Sequence, residues 1–320
     1  MKLCTFEVRT HVGRQRRLGA AWRGRVADLN FGCAWLLERR GEAQPRRVAD
    51  AVLPASMLEF LRGEARAMRW ASEVLAEIEP ARGPNDETLV YAPEEVRLLA
   101  PLPNPASVRD FYAFEDHVKA GFAKRGEPMP PEWYEMPVYY KSGHHNIIGT
   151  DEDVPWPSFT EKFDYELELA AVIGKKGRNI PAEQAREYIA GFTVMNDFSA
   201  RDIQRREMRV RLGPAKGKDW CTALGPWLVT PDEAGDPYGL AMTARVNGET
   251  WSRGNSGSLY WKFEQMIEFL TRDDTVYPGD VIGSGTVGTG CGLELDRWVR
   301  RGDVMELEIE KIGVLRNRVV

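Results

Sequence analysis

Asp164-Tyr165-Glu166-Leu167-Glu168-Leu169 is the stretch from which the rest of this chain is best read. Side chains of a strand alternate between faces, so Glu166 and Glu168 point one way while Tyr165, Leu167 and Leu169 point the other. Two like charges about 7 Å apart on one face repel unless water or a cation screens them. Where water is excluded, a divalent cation is the natural remedy. The chain carries its own control in Val304-Met305-Glu306-Leu307-Glu308-Ile309-Glu310, which alternates in the same way. A half-buried strand with a solvated acidic face gives this pattern with no chemistry, and spacing alone favours that commoner cause.

Working outward, Phe192 to Asn196 reads as a strand that runs into a helix opened by Ser199, with Asp202 completing a capping box. Asp197 then sits at the strand end, facing a cleft or serving as an ordinary turn residue. Upstream, Asp110-Phe111-Tyr112-Ala113-Phe114-Glu115-Asp116-His117 reads as a helix start whose buried stripe is Phe111, Phe114, Val118 and Phe122. Seven residues at 100° each return nearly to one bearing, so Asp110 and His117 share an edge of that stripe. The pair lines a pocket, or else Asp110 is an N-cap and His117 a boundary histidine. Downstream, the glycine-rich run from Gly283 to Gly292 lacks the ending of a phosphate loop. It reads as a turn that lets a ligand approach backbone amides.

The composition is that of a folded protein: 320 residues, 43% hydrophobic, net charge -5. Arginine runs such as Arg14 to Arg17 are offset by acids nearby, so no nucleic-acid partner is expected. No apolar run approaches the ~18 residues that span a bilayer, and the start lacks a signal peptide's apolar stretch. The expected setting is cytoplasmic, away from membranes. Cys4, Cys33, Cys221 and Cys291 show no paired spacing, and none of the four histidines stands in a zinc-protease motif. Oxygen ligands would therefore hold any metal, favouring magnesium, manganese or calcium.

Residues 1 to about 55 read as short strands punctuated by Gly13, Gly19 and Gly24. Leu61, Ala65, Met68, Ala71, Leu75 and Ile78 describe one helical stripe, ended by Pro80, Gly83 and Pro84. The reading is a small, mostly β N-terminal domain over 1–75 and a larger domain over 76–320. Beyond the proline-rich 100–105 segment no regular strand-helix repeat appears, which predicts an α+β architecture on a large β core. Candidate strands are 165–173, 192–196, 227–230, 242–251 with a hairpin at Asn247-Gly248, 281–284 and 304–309.

Taken in order, these segments resemble the fumarylacetoacetate hydrolase family from about Asp110 to Glu308. The resemblance rests on Asp110-Phe111-Tyr112 with His117, Glu166-Leu167-Glu168, Met195 to Gln204, Gly217-Lys218, Tyr277-Pro278-Gly279-Asp280, Ser284-Gly285-Thr286 and Glu294. It implies a fumarylacetoacetase-like catalytic domain, a mixed β-sandwich roll, behind the small N-terminal domain. It also implies one divalent cation, magnesium before manganese or calcium, held by Asp110, Glu166, Glu168 and Asp197. The later acidic run would then be the solvated strand.

The implied activity is metal-dependent hydrolysis of a carbon-carbon bond in a β-diketo acid, fumarylacetoacetate-like or acylpyruvate-like, in catabolism of an aromatic or related compound. The metal would stabilise the departing enolate. His117, oriented by Glu294, would activate water, while Arg201, Gln204 and Lys218 surround the developing oxyanion. Tyr112, Arg125, Tyr140 and Thr286 would contact substrate, and two chains would pair as a homodimer. Relatives of this type include oxaloacetate decarboxylases and isomerases of hydroxylated diene diacids, which share the metal-stabilised enolate. A metal- or acid-binding module without turnover is the alternative of a different class. Met208 stands where the animal enzyme has a tyrosine near its substrate, and Gly288 to Cys291 is shorter and richer in glycine than its counterpart.

Overall fold

The computed structural model describes residues 1–11 and 13–320. Its main sheet has twelve strands. The central path runs Lys2–Thr10, Thr222–Val229, Ile189–Asp197, Leu167–Ile173, Asp280–Gly283, Ser107–Phe111 and Tyr139–Ser142. Gly13–Trp22 and Arg25–Asp28 extend it beyond the first strand. A five-stranded sheet contains the expected hairpin, Ala241–Val246 with Glu249–Asn255, and the strand Val304–Ile309. The α+β, strand-rich architecture is as expected.

The leading segment corrects the expectation of a mostly β module. Three strands give way at Asp28 to four helices, Leu29–Arg39, Pro45–Val52, Met57–Arg62 and Glu64–Glu77. Asp28 caps the first of them by accepting from the Phe31 amide at 2.9 Å. Leu29, Cys33, Leu36 and Leu37 then bury one helical face. The 75/76 division falls inside the last of these helices, whose buried residues are Ala67, Ala71 and Val74, with Ala65 exposed. Of the expected stripe, Leu61, Ala71 and Ile78 are buried and Met68 and Leu75 pack half-buried against the same core, so the stripe holds except at Ala65.

Alternation along the central strands decides where each layer packs. Leu167, Leu169, Ala171 and Ile173 face a core shared with the five-stranded sheet. Ala170 and Val172, with Val108, Met195 and Val281, face the opposite way into a core shared with the N-terminal helices. Two residues beyond Val108, Ala170 and Met195, on that same face, stand Asp110, Glu168 and Asp197. The helical layer covers one stretch of this face and the acids occupy the next.

Asp110 corrects a second expectation. It lies in the strand Ser107–Phe111, and the helix bearing His117 starts only at Glu115 and runs to Arg125. Ser107–Phe111 pairs on both sides, with Asp280–Gly283 and Tyr139–Ser142. A spacing of Phe111, Phe114 and Val118 fits a helix locally, and two neighbouring strands overrode it. The capping box fails as well. Ala200 pairs with Phe163, the helix opens at Arg201, and Ser199 Oγ donates to the Asp197 carbonyl. Asp202 instead holds the turn before the first acid pair, accepting from Thr160 Oγ1 and the Glu161 amide.

Candidate metal centre

Asp110, Glu166, Glu168 and Asp197 converge so that one oxygen from each lies within 4.8 Å of the others, all four side chains buried. Asp197 and Glu168 are 0% exposed, so bulk water does not screen them. The control strand behaves oppositely: Glu306 and Glu308 are half-buried, Glu310 is exposed, and Arg245 pairs with Glu308 at 2.7 Å. Identical alternation thus gives a buried acid cluster in one strand and a solvated face in the other.

Backbone amides and two glycines shape the cluster. The Gly285 amide donates to Asp110 at 3.2 Å and to Glu168 at 3.1 Å. A Cβ on Gly283 would stand 2.4 Å from Asp110 Oδ1 and 3.0 Å from Glu168 Oε2, so only glycine leaves both carboxylates their places. Glu168 Oε1 and Asp197 Oδ1 are buried with no hydrogen-bond partner among the described residues. Orphaned anionic oxygens at this depth are costly unless a cation meets them. Four carboxylates and no soft ligand form a donor set that fits a hard divalent cation.

The titration of the group reflects the same crowding. Burial raises Asp110 well above its ordinary range, with the Asp197 charge adding to it. Burial also raises Glu168, reinforced by Asp110, and it lifts Asp197 to about 6 against the pull of Lys218. Glu166 is the exception. Burial pushes it up, but the Arg201 and Lys218 charges outweigh burial and hold it below the carboxylate range.

Those two cations are buried themselves. Lys218 Nζ bridges Glu166 and Asp197, 2.5 Å from the latter. Arg201 reaches Glu166 at 2.8 Å and Asp164 at 2.7 Å, and also donates to Gln204 at 3.1 Å. Tyr140 donates to Asp197 at 2.6 Å. Thr286 is buried, and its hydroxyl has no partner among the described residues.

His117 is also buried, and its Nδ1 meets Glu294 Oε1 at 2.5 Å. Its Nε2 faces Glu166 Oε1 at 3.9 Å, which sets the imidazole at the margin of the acid cluster. Tyr112 packs edge-on against the ring, with centroids 5.2 Å apart. Glu294 lies below its usual value because the His117 contact offsets burial. Arg125 is the expected site residue that stays outside. Its side chain is 41% exposed and pairs with Glu127, although it lies close enough to Tyr112 to influence that hydroxyl.

The sequence reading passed over Asp164. This buried carboxylate accepts from Arg201, from the Gly292 amide at 2.8 Å and from the Leu293 amide at 3.0 Å. It ties Arg201 to the short helix that carries Glu294. The signal was present, since Asp164, Glu166 and Glu168 share one parity in the stretch read first.

Residues 106–320 match the family model of the fumarylacetoacetate (FAA) hydrolase C-terminal domain. The chain belongs to the fumarylacetoacetate hydrolase family. Among relatives in this family, it is 38% identical over 228 residues to the human mitochondrial oxaloacetate tautomerase FAHD2A, covering 71% of this chain and 70% of that protein. It is 33% identical over 246 residues to the oxaloacetate tautomerase YisK of Bacillus subtilis (strain 168), covering 75% and 79%. A solved fumarylpyruvate hydrolase from Pseudomonas aeruginosa, in complex with Mn2+ and pyruvate, superposes with a TM-score of 0.59 at 28% identity. That match covers 70% of this chain and 91% of the other. Family members of this kind are enzymes. Among the described residues, no helix is long and apolar enough to cross a membrane.

Proposed function

We propose that this family member catalyses keto-enol tautomerisation of a small 2-oxo diacid, oxaloacetate being the substrate tested first. The observation that carries the reading is the pose of His117, with Nδ1 engaged by Glu294 and Nε2 turned toward the acid cluster. The human and Bacillus relatives, each named an oxaloacetate tautomerase, support the choice of reaction. The Mn2+ in the Pseudomonas structure supports a divalent cation, and we favour magnesium or manganese.

When bound by Asp110, Glu166, Glu168 and Asp197, such a cation supplies Lewis acidity toward the oxygens of a 2-oxo acid. His117 Nε2 would take the proton from the carbon next to the carbonyl and deliver it to the enolate oxygen, and in the reverse direction would take the enol hydroxyl proton and deliver it to that carbon. Glu294 fixes the ring and stabilises the imidazolium formed in between. Arg201, immobilised by Asp164 and Glu166, presents a fixed positive charge to the substrate's carboxylates, with Gln204 beside it. Lys218 spaces Glu166 and Asp197, and Thr286 offers its free hydroxyl as a binding group.

The dyad of His117 and Glu294 also favours a second reading, hydrolysis of a carbon-carbon bond in an acylpyruvate-like β-diketo acid, with water as the proton donor to His117. Magnesium-loaded protein assayed on enol-oxaloacetate and on acetylpyruvate separates the two. Accelerated loss of the enol, abolished in His117→Ala with metal binding retained, is the expected result. Hydrolysis of acetylpyruvate without effect on the enol would install the second reading, and inertness toward both would remove both.

A further inference from the structure

Cys291 is a buried thiol that the proposed reaction leaves unused, and it stands against the histidine dyad. Its Sγ is 3.5 Å from Glu294 Oε1, the same oxygen that meets His117 Nδ1 at 2.5 Å. One ligand atom each from His117, Cys291 and Glu294 falls within 4.8 Å of the others, a nitrogen, a sulfur and an oxygen. The oxygen cluster contains neither of the softer atoms.

We propose that His117, Cys291 and Glu294 form a second cation site, selective for zinc-class ions, whose occupancy switches the enzyme off by withdrawing the dyad. Tetrahedral zinc places sulfur at about 2.3 Å and nitrogen or carboxylate oxygen at about 2.0–2.2 Å, which sets ligand atoms roughly 3.3–3.7 Å from one another. The separation of Sγ and Oε1 already has that value. His117 Nδ1 and Glu294 Oε1 must part by about 1 Å, exchanging their hydrogen bond for two metal bonds. The other carboxylate oxygen of Glu294 is held by the Thr289 amide at 2.9 Å, which keeps the residue in place during that exchange. Water fills the fourth position.

The proton balance is simple. Zinc enters with its water, the Cys291 thiol gives up its proton to solvent as the sulfur binds, and the imidazole proton, held on Nδ1 against Glu294 in the dyad, is relocated to Nε2 as Nδ1 takes the metal. Magnesium and manganese prefer the all-oxygen site, and thiolate with imidazole prefers zinc, so the two sites sort their ions by ligand chemistry. The sites also share a backbone: Cys291 forms an isolated bridge with Glu166.

Only the loss of turnover rests on the proposed role of His117; ion binding does not. The test therefore uses magnesium-loaded protein, wild type and Cys291→Ser, with Zn2+ as inhibitor and Co2+ as spectroscopic probe. Expected are a thiolate-to-cobalt charge-transfer band in wild type that Cys291→Ser lacks, and inhibition by one additional zinc per chain. The serine variant should keep its magnesium-dependent turnover and need about 100-fold more zinc for the same inhibition. Absence of the cobalt band in wild type overturns the site, whatever the substrate proves to be. Equal zinc sensitivity of the two proteins, or a cobalt band with turnover untouched, overturns the switch.

Discussion

Removing the divalent cation is expected to reverse the pH dependence of stability between pH 5 and 7. Without a cation, burial holds Asp110, Glu168 and Asp197 above their ordinary range, Asp197 at about 6. An acid whose folded value is raised binds more protons in the native chain than in the unfolded one across that window, so stability falls as pH rises through it. Asp197 alone, moved from 3.8 to about 6, accounts for on the order of 3 kcal/mol over its whole titration at 1.36 kcal/mol per unit, of which about 1.3 kcal/mol falls between pH 5 and 7. For a chain of 320 residues, an unfolding entropy near 2.1 cal/mol/K per residue converts the part inside the window into roughly 2 °C of Tm. Glu166 does not oppose the trend in this window. Arg201 and Lys218 depress it, so its contribution is complete above about pH 5 and is lost only as pH falls further. A bound cation displaces the protons and removes the penalty. The gap in Tm between magnesium-loaded and chelated protein should therefore widen from pH 5 to pH 7, with protons released on metal binding near pH 6 by calorimetry in two buffers. Parallel Tm curves, or a gap that closes with rising pH, would refute the placement of these carboxylates around one cation.

Other outcomes follow from individual contacts. Gly283→Ala should lower cation affinity at least tenfold and cost about 1–3 kcal/mol of stability, because the new methyl overlaps Asp110 and Glu168; metal titration and thermal melts read both. Asp164→Asn leaves Arg201 with Glu166 as its one carboxylate partner and should cost about 3–5 kcal/mol. As a positioning change it should reduce kcat more than it raises KM, and Asp164→Glu should recover part of the loss. Pairing of two chains, which the family resemblance implies, is expected to give a solution mass twice 36.2 kDa by light scattering; a single-chain mass would contradict it.

How far these features were legible depends on the range of the forces involved. Alternation in 164–169 was legible because strand parity is a local property, and Asn247-Gly248 announced its hairpin for the same reason. The hard-oxygen character of the four-acid cluster was also legible, because it follows from which residues are present. Asp110 was assigned to the wrong element because its strand exists through hydrogen bonds to residues 139–142 and 280–283, which no local spacing records. The first three N-terminal helices, Leu29–Arg39, Pro45–Val52 and Met57–Arg62, escaped notice because each is short and little helical period accumulates in it, whereas the fourth showed in the stripe from Leu61 to Ile78.

The sequence by itself determined the parity of the acids, the absence of paired cysteine spacing and, through the order of its motifs, the family. Tertiary structure decided which of two identically patterned acidic strands lost its water. That choice turns on packing: the ends of three strands, an amide from 285 and a glycine at 283 close around Glu168, whereas Glu306 and Glu308 lie on a face that keeps partial contact with solvent. Desolvation depends on what other segments bring to a residue, and only the folded chain brings Asp164, Arg201 and Lys218 to the same place.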